Sequence, residues 1–397
     1  MSDFKKYFPI FKQNSNIVYL DSAASAQKPL CVLDGIVDFY KKNYANIHRG
    51  LYELSEKSSE MYENVREKVA LFIGAKSASE IIFTKGTTEA INLVASCFSR
   101  IFKNGDEVIV SEAEHHSNLL PWKNLADLGL VKIKYLPVLS DGNFDLEWLK
   151  KNISKMTKFV CVTAQSNVLG VGTNVKNIIK ISHLVGAKVL VDGAQFTSHS
   201  VVDVKAWDVD FYVFSGHKIY GPNGVGVLYG KKKILDIMPP YQFGGDMVES
   251  VSLDKIILQP VPSKFEAGTP PIAEVIGLGF AIDFLQSIGM KNIERDGLSL
   301  TEYLRSKLIE IDGVKILSPD SSNSIISFII DGVSSFDIGM MLGQKNICVR
   351  VGKHCAEPLH KRFGFENSVR VSLGIYNDKK DVDKFIDGLK KVLSLLR

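Results

Sequence analysis

Cysteine is scarce in this chain. Cys31, Cys97, Cys161, Cys348 and Cys355 are the only five in 397 residues. Their number is odd, their spacing wide, and no C-x-x-C pair exists, so neither a disulfide framework nor a zinc ribbon is indicated. H-E-x-x-H, a P-loop and a G-x-G-x-x-G following a strand are all missing, and no metal site is read. No apolar run approaches the roughly 18 residues that span a bilayer. Met1 to Gln13 holds no continuous apolar core of a secretory signal. These absences together lead to the expectation of a chain in a reducing cytoplasm with no membrane partner. A dominant charge is lacking too: 48 Lys and Arg face 44 Asp and Glu, a net +4. The run Lys231-Lys232-Lys233 and the pairs Lys379-Lys380 and Lys390-Lys391 are scattered, which gives no footprint for nucleic acid.

What is present is ordinary for a globular protein, with 23% charged and 45% hydrophobic residues. The length implies two or three domains. From about residue 70 to 230, strand and helix patterns alternate. Ile81-Ile82-Phe83, Val108–Val110, Val131–Tyr135, Phe159–Val162 and Val189–Val191 read as buried strands. Asn174–Leu184 reads as a crossover helix, which predicts a mostly parallel, covered sheet. After about residue 290 a helix over Ser299–Glu310, short apolar runs and two amphipathic helices (Phe336–Leu342 and Asp381–Leu396) predict a small α+β domain. The stretch 241–270 reads as irregular.

The chemistry concentrates at strand ends. The strand Val189–Val191 ends in Asp192, with Gln195 three residues on. The next strand, Phe211–Phe214, runs into Ser215-Gly216-His217-Lys218. A strand-end carboxylate followed one strand later by Ser-x-His-Lys is what a pyridoxal phosphate site needs. The lysine amine joins the aldehyde, and the carboxylate keeps the pyridinium nitrogen protonated. Ligands of such sheets gather at the carboxyl ends of strands. Gly86-Thr87-Thr88-Glu89 opens a helix after Ile81–Phe83, which suits an anion as well as a plain cap. His115 follows the strand Val108–Val110, with His116 as its competitor. Arg370 stands in the strand-like run Val369–Ser372 and needs a carboxylate partner, either a structural acid or a substrate. Cys355 lies in a glycine-bearing loop beside Lys353 and His354, with Arg350 and His360 near in sequence, surroundings that favour a thiolate. The other four cysteines read as small core residues. Gly221–Gly226 reads as a turn that lets backbone approach the cofactor.

Nine segments carry a resemblance over nearly the whole chain: Tyr19-Leu20-Asp21-Ser22-Ala23-Ala24, His48-Arg49-Gly50, Phe83–Glu89, Glu114-His115-His116, Asn167-Val168-Leu169-Gly170, the Asp192 and Lys218 stretches, Phe265–Pro270 and Arg350–Cys355. The chain resembles the class V, fold-type I pyridoxal phosphate enzymes, and among them the cysteine desulfurases of the Suf type. The resemblance implies an α/β large domain (26–285) with a mostly parallel sheet of the seven-stranded type. It implies a small α+β domain (286–397) carrying Cys355, to which residues 1–25 contribute. Thr87, Ser215 and His217 would hold the phosphate, joined by Thr269 from the other subunit of a homodimer. His115 would stack on the ring and shuttle protons, its near-neutral pKa suiting it to that. Asp192 and Gln195 would hold the ring, and Lys218 would bind the cofactor and move the α-proton. Arg370, assisted by Asn167, would hold the α-carboxylate of L-cysteine. Cys355 would take the sulfur as a persulfide and pass it to an acceptor protein of the Suf system for iron–sulfur assembly. The loop from Arg350 to Pro358 is compact, where the other main desulfurase class resembles a longer serine-rich one. A selenocysteine lyase or another class V enzyme such as an aminotransferase would keep Lys218 without requiring Cys355.

Overall fold

Near the amino end, Val18–Tyr19 forms a short strand (β1) in the computed structural model, which describes residues 4–397. The alternating region supplies seven strands. They are Ile81–Thr84 (β2), Glu107–Ser111 (β3), Lys132–Leu136 (β4), Thr157–Thr163 (β5), Lys188–Asp192 (β6), Phe211–Ser215 (β7) and Gly226–Gly230 (β8). They join in one sheet in the order β2-β8-β7-β6-β5-β3-β4. Within it β8 alone opposes its neighbours, and the other pairings are parallel.

Side-chain alternation explains why this sheet is covered on both faces. Phe159 and Cys161 pack with Leu190, Phe211 and Val213 on one face. Val160 and Val162 pack with Val189, Val191 and Phe214 on the other. Strands apolar on both sides have no solvent face and so demand helices above and below. Each large side chain removed from water there contributes about 1.5–3 kcal/mol.

The stretch expected to be irregular contains a hairpin, Val248–Val251 (β9) and Ile256–Leu258 (β10). Its Val251, Leu253 and Ile256 are exposed. It buries no face within its own chain, so the usual alternation of apolar and polar residues is missing from its sequence. The helix expected from Ser299 begins earlier, spanning Met290–Leu308. It follows Ile272–Ile288 after a bend of 74°, which Gly289 permits with φ +88°. Among the described residues no single helix is long and apolar enough to cross a bilayer.

The carboxyl-terminal part builds a second, antiparallel sheet. Val314–Ile316 (β11), Ile325–Ile330 (β12), Arg350–Gly352 (β14) and Ser368–Ser372 (β15) lie in the order β11-β12-β15-β14. Ile347–Cys348 (β13) pairs with β1 instead. Phe328, Val369, Val371, Phe385 and Leu389 form its core with Val18 and Leu20 from the amino end.

One buried ion pair fixes the segment that precedes Thr269. Arg66 Nη1 and Nη2 donate to the Glu266 carboxylate at 2.7 and 2.9 Å, and the Phe83 backbone N–H donates to it at 2.7 Å. Removing one partner of such a pair strands a charge in the interior, a loss of about 3–5 kcal/mol.

Candidate active site

Three chain regions converge on one cleft of about 190 Å³. The strand ends of the large sheet contribute Asp192, Ser215 and Lys218, and the helix Thr87–Ser99 contributes its first residue. The second sheet contributes Arg350, Cys355 and Arg370. His115, Asn167, Gln195 and His217 also line it. Of the residues assigned a role from the sequence, Thr269 alone lies outside the cleft, and it is exposed. Ala23, Ala24, Thr88, Ser117, Arg350 and His354 line the cleft without having been assigned a role. Arg350 and His354 carried a signal, as basic neighbours of Cys355 in sequence.

The anion end of the cleft is built from β2 and β7. Thr87 is the first residue of a 13-residue helix, whose free N–H groups and dipole favour a negative ligand. Its backbone N–H donates to Ser215 Oγ at 2.9 Å, and the two hydroxyls lie 2.8 Å apart. A Cβ added at Gly86 would stand 3.4 Å from Ser215 Oγ, and one at Gly226 would come within 2.4 Å of Gly86 Cα. The lack of a side chain at Gly226 lets β8 approach the backbone at Gly86. His217 Nδ1 lies 3.3 Å from Ser25 Oγ.

At the opposite end, Asp192 is buried and uses Oδ1 to accept the Ala194 N–H at 2.9 Å. Lys218 makes no side-chain hydrogen bond among the described residues. Burial pushes its pKa down to about 8, against the opposing pull of Asp192. Burial raises the Asp192 pKa while the Lys218 charge lowers it. Gln195 donates to the Ala23 carbonyl at 2.9 Å. A phosphate cradle, an amine without a partner and a carboxylate with a free oxygen match the three recognition needs of pyridoxal phosphate.

His115 corrects an expectation. Burial, and then the Lys218 charge, push its pKa down to about 3, so it is neutral where near-neutral titration was expected. The Ser117 backbone N–H donates to His115 Nδ1 at 3.1 Å, which puts the ring proton on Nε2. Its chain neighbour Glu114 is fully enclosed. Glu114 accepts from Asn118 Nδ2 at 2.6 Å and the Thr163 N–H at 2.7 Å, and bonds to Ser111 Oγ. Burial raises the Glu114 pKa to about 8.

The Cys355 loop differs electrostatically from its sequence. Burial holds His354 and His360 below their usual pKa, and Lys353 is paired with Glu357. The positive charges that share the cleft with the thiol are those of Lys218 and Arg370 from other parts of the chain, together with Arg350, five residues before it on β14. Cys355 itself is half-buried. His354 and Cys355 both adopt left-handed backbone, φ +50° and +56°, a conformation that must be held by its surroundings. Three bonds hold it: Asn167 Nδ2 to the His354 carbonyl at 2.7 Å, the His116 N–H to the Cys355 carbonyl at 2.8 Å, and the Ala356 N–H to the Lys353 carbonyl at 2.9 Å. The remaining cysteines are not uniformly core residues. Cys97 and Cys161 are buried, Cys348 is half-buried and Cys31 is exposed.

Arg370 is 2% exposed. Its Nη1 donates to the Asn167 carbonyl at 3.0 Å and its Nη2 to Asp21 at 3.2 Å, while Nε has no partner. Residues 18–385 match the family described as aminotransferase class-V. The chain belongs to the class-V aminotransferase family. Members of this family use pyridoxal 5′-phosphate, for which the cleft is suited. The class-V relatives include the cysteine desulfurase of Dickeya dadantii strain 3937, 44% identical over 394 residues, 98% of this chain and 96% of that one. A probable cysteine desulfurase of Halalkalibacterium halodurans is 44% identical over 98% of this chain and 97% of its own length. The cysteine desulfurase CsdA of Escherichia coli, in its S-sulfonic acid form, superposes with a TM-score of 0.93 at 38% identity, covering 99% of this chain and 98% of that one. The apo cysteine desulfurase of Thermococcus onnurineus NA1 gives 0.95 at 37%, with the same coverage.

The lowered Lys218 pKa has a measurable consequence. Only a neutral amine captures the cofactor aldehyde. The rate at which apoprotein takes up pyridoxal phosphate should rise with pH through about 8 and level off above it. An ordinary lysine would give a rate still climbing near pH 10; stopped-flow absorbance distinguishes the two.

Proposed function

We propose that this protein is a pyridoxal phosphate-dependent cysteine desulfurase of the Suf type. The reaction is L-cysteine plus the Cys355 thiol giving L-alanine plus a persulfide on Cys355. The observation that carries it is the presence of Lys218, Arg370 and Cys355 on the walls of one cleft. An aminotransferase needs the first two and has no use for the third.

When bound, the cofactor supplies an electron sink for the pair released at the substrate α-carbon. Asp192 would keep a proton on the ring nitrogen through its free oxygen. Thr87, Ser215 and His217 would hold the phosphate, and Gln195 the ring oxygen. Arg370 binds the α-carboxylate, which orients the α C–H toward Lys218. Lys218 takes that proton, a task suited to an amine with a pKa of about 8. Neutral His115 carries its ring proton on Nε2, from which it would donate a hydrogen bond to the reacting substrate. Cys355 Sγ attacks the substrate sulfur; the S–S bond forms as the C–S bond breaks, and the carbon fragment leaves as L-alanine after protonation. Asn167 works through its neighbours, holding Arg370 by its carbonyl and the Cys355 loop by its amide.

The Suf-type reading is supported by the loop. Arg350 to Pro358 is short and pinned at His354 and Cys355, so the persulfide has little reach and an acceptor protein must come to it. Delivery to iron–sulfur cluster assembly follows from that reading, as does a reducing cytoplasm that keeps the thiol free. The exposure of Thr269 outside its own cleft supports a homodimer in which it completes the neighbour's phosphate site.

The test is single-turnover chemistry. Wild-type holoprotein mixed with L-cysteine should release one L-alanine per site in a burst, then turn over slowly until a sulfur-acceptor protein is added. Mass spectrometry should find one extra sulfur atom on Cys355. Cys355→Ala should still bind L-cysteine, with alanine formation reduced at least a hundredfold, and Lys218→Ala should form none. Alanine production at the wild-type rate by Cys355→Ala would remove Cys355 as nucleophile. The holoprotein should also sediment at twice the 44.0 kDa mass of the chain; a cofactor-loaded, active monomer would rule out sharing of Thr269.

A further inference from the structure

The guanidinium assigned to the substrate carboxylate already has a carboxylate on it. Asp21 meets Arg370 Nη2 at 3.2 Å, and its place there is built rather than incidental. The amino-terminal segment is laced to Ser372, two residues past Arg370 on the same strand. The Ser372 N–H donates to the Leu20 carbonyl at 2.8 Å, the Ser22 N–H to the Ser372 carbonyl at 3.3 Å, and the Ala23 N–H to Ser372 Oγ at 2.9 Å. Asp21 itself bridges Ser372.

The charge balance of this corner is uneven. Arg350 stands directly opposite Arg370 in the register of β14 and β15, and it forms no ion pair among the described residues. Two guanidiniums therefore share one carboxylate. Arg370 has five N–H donors. Asp21 and the Asn167 carbonyl use two of them, and Nε is buried and unpartnered. A second carboxylate can thus bind without expelling Asp21, but it must do so beside a like charge.

We infer that Asp21 is a specificity-determining residue, a resident carboxylate that weakens the hold of Arg370 on the amino acid carboxylate and so eases release of the product. This rests on the assignment of Arg370 to that carboxylate. Asp21 also keeps the buried guanidinium compensated when the cleft holds no amino acid. Without it, the free enzyme would carry an unpaired interior charge that only an incoming carboxylate relieves.

The sign of one substitution decides the matter. Asp21→Asn keeps shape and a hydrogen-bond acceptor while removing the charge. Calorimetric titration of the holoenzyme with L-alanine should show binding about two- to fivefold tighter, the upper part of the range for an ion pair that water can reach. Titration with ethylamine, which is L-alanine without its carboxylate, should be unchanged. The rise in unfolding temperature produced by L-alanine should be larger than in wild type. Should the first variant fold poorly, Asp21→Ser should give the same pattern: tighter L-alanine, unchanged ethylamine and a larger rise in unfolding temperature. If Asp21 merely orients Arg370, both variants bind L-alanine more weakly, and the inference is overturned; unchanged affinity overturns it equally. Arg370→Lys separates this from the underlying assignment. If it weakens L-alanine but not ethylamine while Asp21→Asn has no effect, the inference alone fails. If it leaves L-alanine binding intact, the assignment of Arg370 fails with it.

Discussion

A lysine and an aspartate enclosed at the ends of neighbouring strands set the terms for the rest of this molecule. Asp192 closes β6, and Lys218 follows β7, its parallel neighbour. Burial opposes the charge on each, and each opposes the other's neutralisation. The amine that results is basic enough to remove a proton and neutral often enough to act near physiological pH. Such a pair needs low-dielectric walls, which the apolar residues on both faces of the sheet provide. It also needs to be reached, and the strands end together at the cleft.

The second sheet brings what the first lacks. Arg370 and the Cys355 loop sit on β15 and just beyond β14, facing the strand ends across the cleft. Their placement depends on contacts between remote parts of the chain: Asn167 to His354, His116 to Cys355, Asp21 to Arg370. Each ties the proposed nucleophile or the proposed carboxylate site to the large sheet or the amino-terminal segment. A thiol on a loop held in left-handed backbone by hydrogen bonds is aimed, not free to swing. That is why a protein acceptor is the proposed route for its sulfur.

Much of this was legible along the chain, for identifiable reasons. Strands apolar on both faces announced a covered sheet. Polar residues at the ends of those strands, such as Asp192 and Ser215, announced the cleft. The helix opening at Thr87 after a strand was legible too, as a place that suits an anion as well as a plain cap. What stayed hidden depends on distance and burial. The Asp21 partner of Arg370 is 349 residues away. Of the groups near Cys355 in sequence, His354 and His360 are held toward the neutral form and Lys353 is paired, which leaves Arg350; Lys218 and Arg370 come to the cleft from elsewhere in the chain. The histidine expected to shuttle protons near neutrality is held neutral by desolvation, which no spacing reveals. The exposed hairpin after residue 247 lacks the alternation that marks a strand, because nothing within its own chain covers it.

The central claim is that Lys218, by virtue of its buried partnership with Asp192, is the residue to which the cofactor is joined. Reducing the loaded protein with borohydride makes that link permanent, and proteolysis with mass spectrometry locates it. The account predicts a pyridoxyl group on Lys218 alone, in the peptide containing Ser215 and His217. A label on any other lysine, or none on a protein that retains the cofactor, would contradict it.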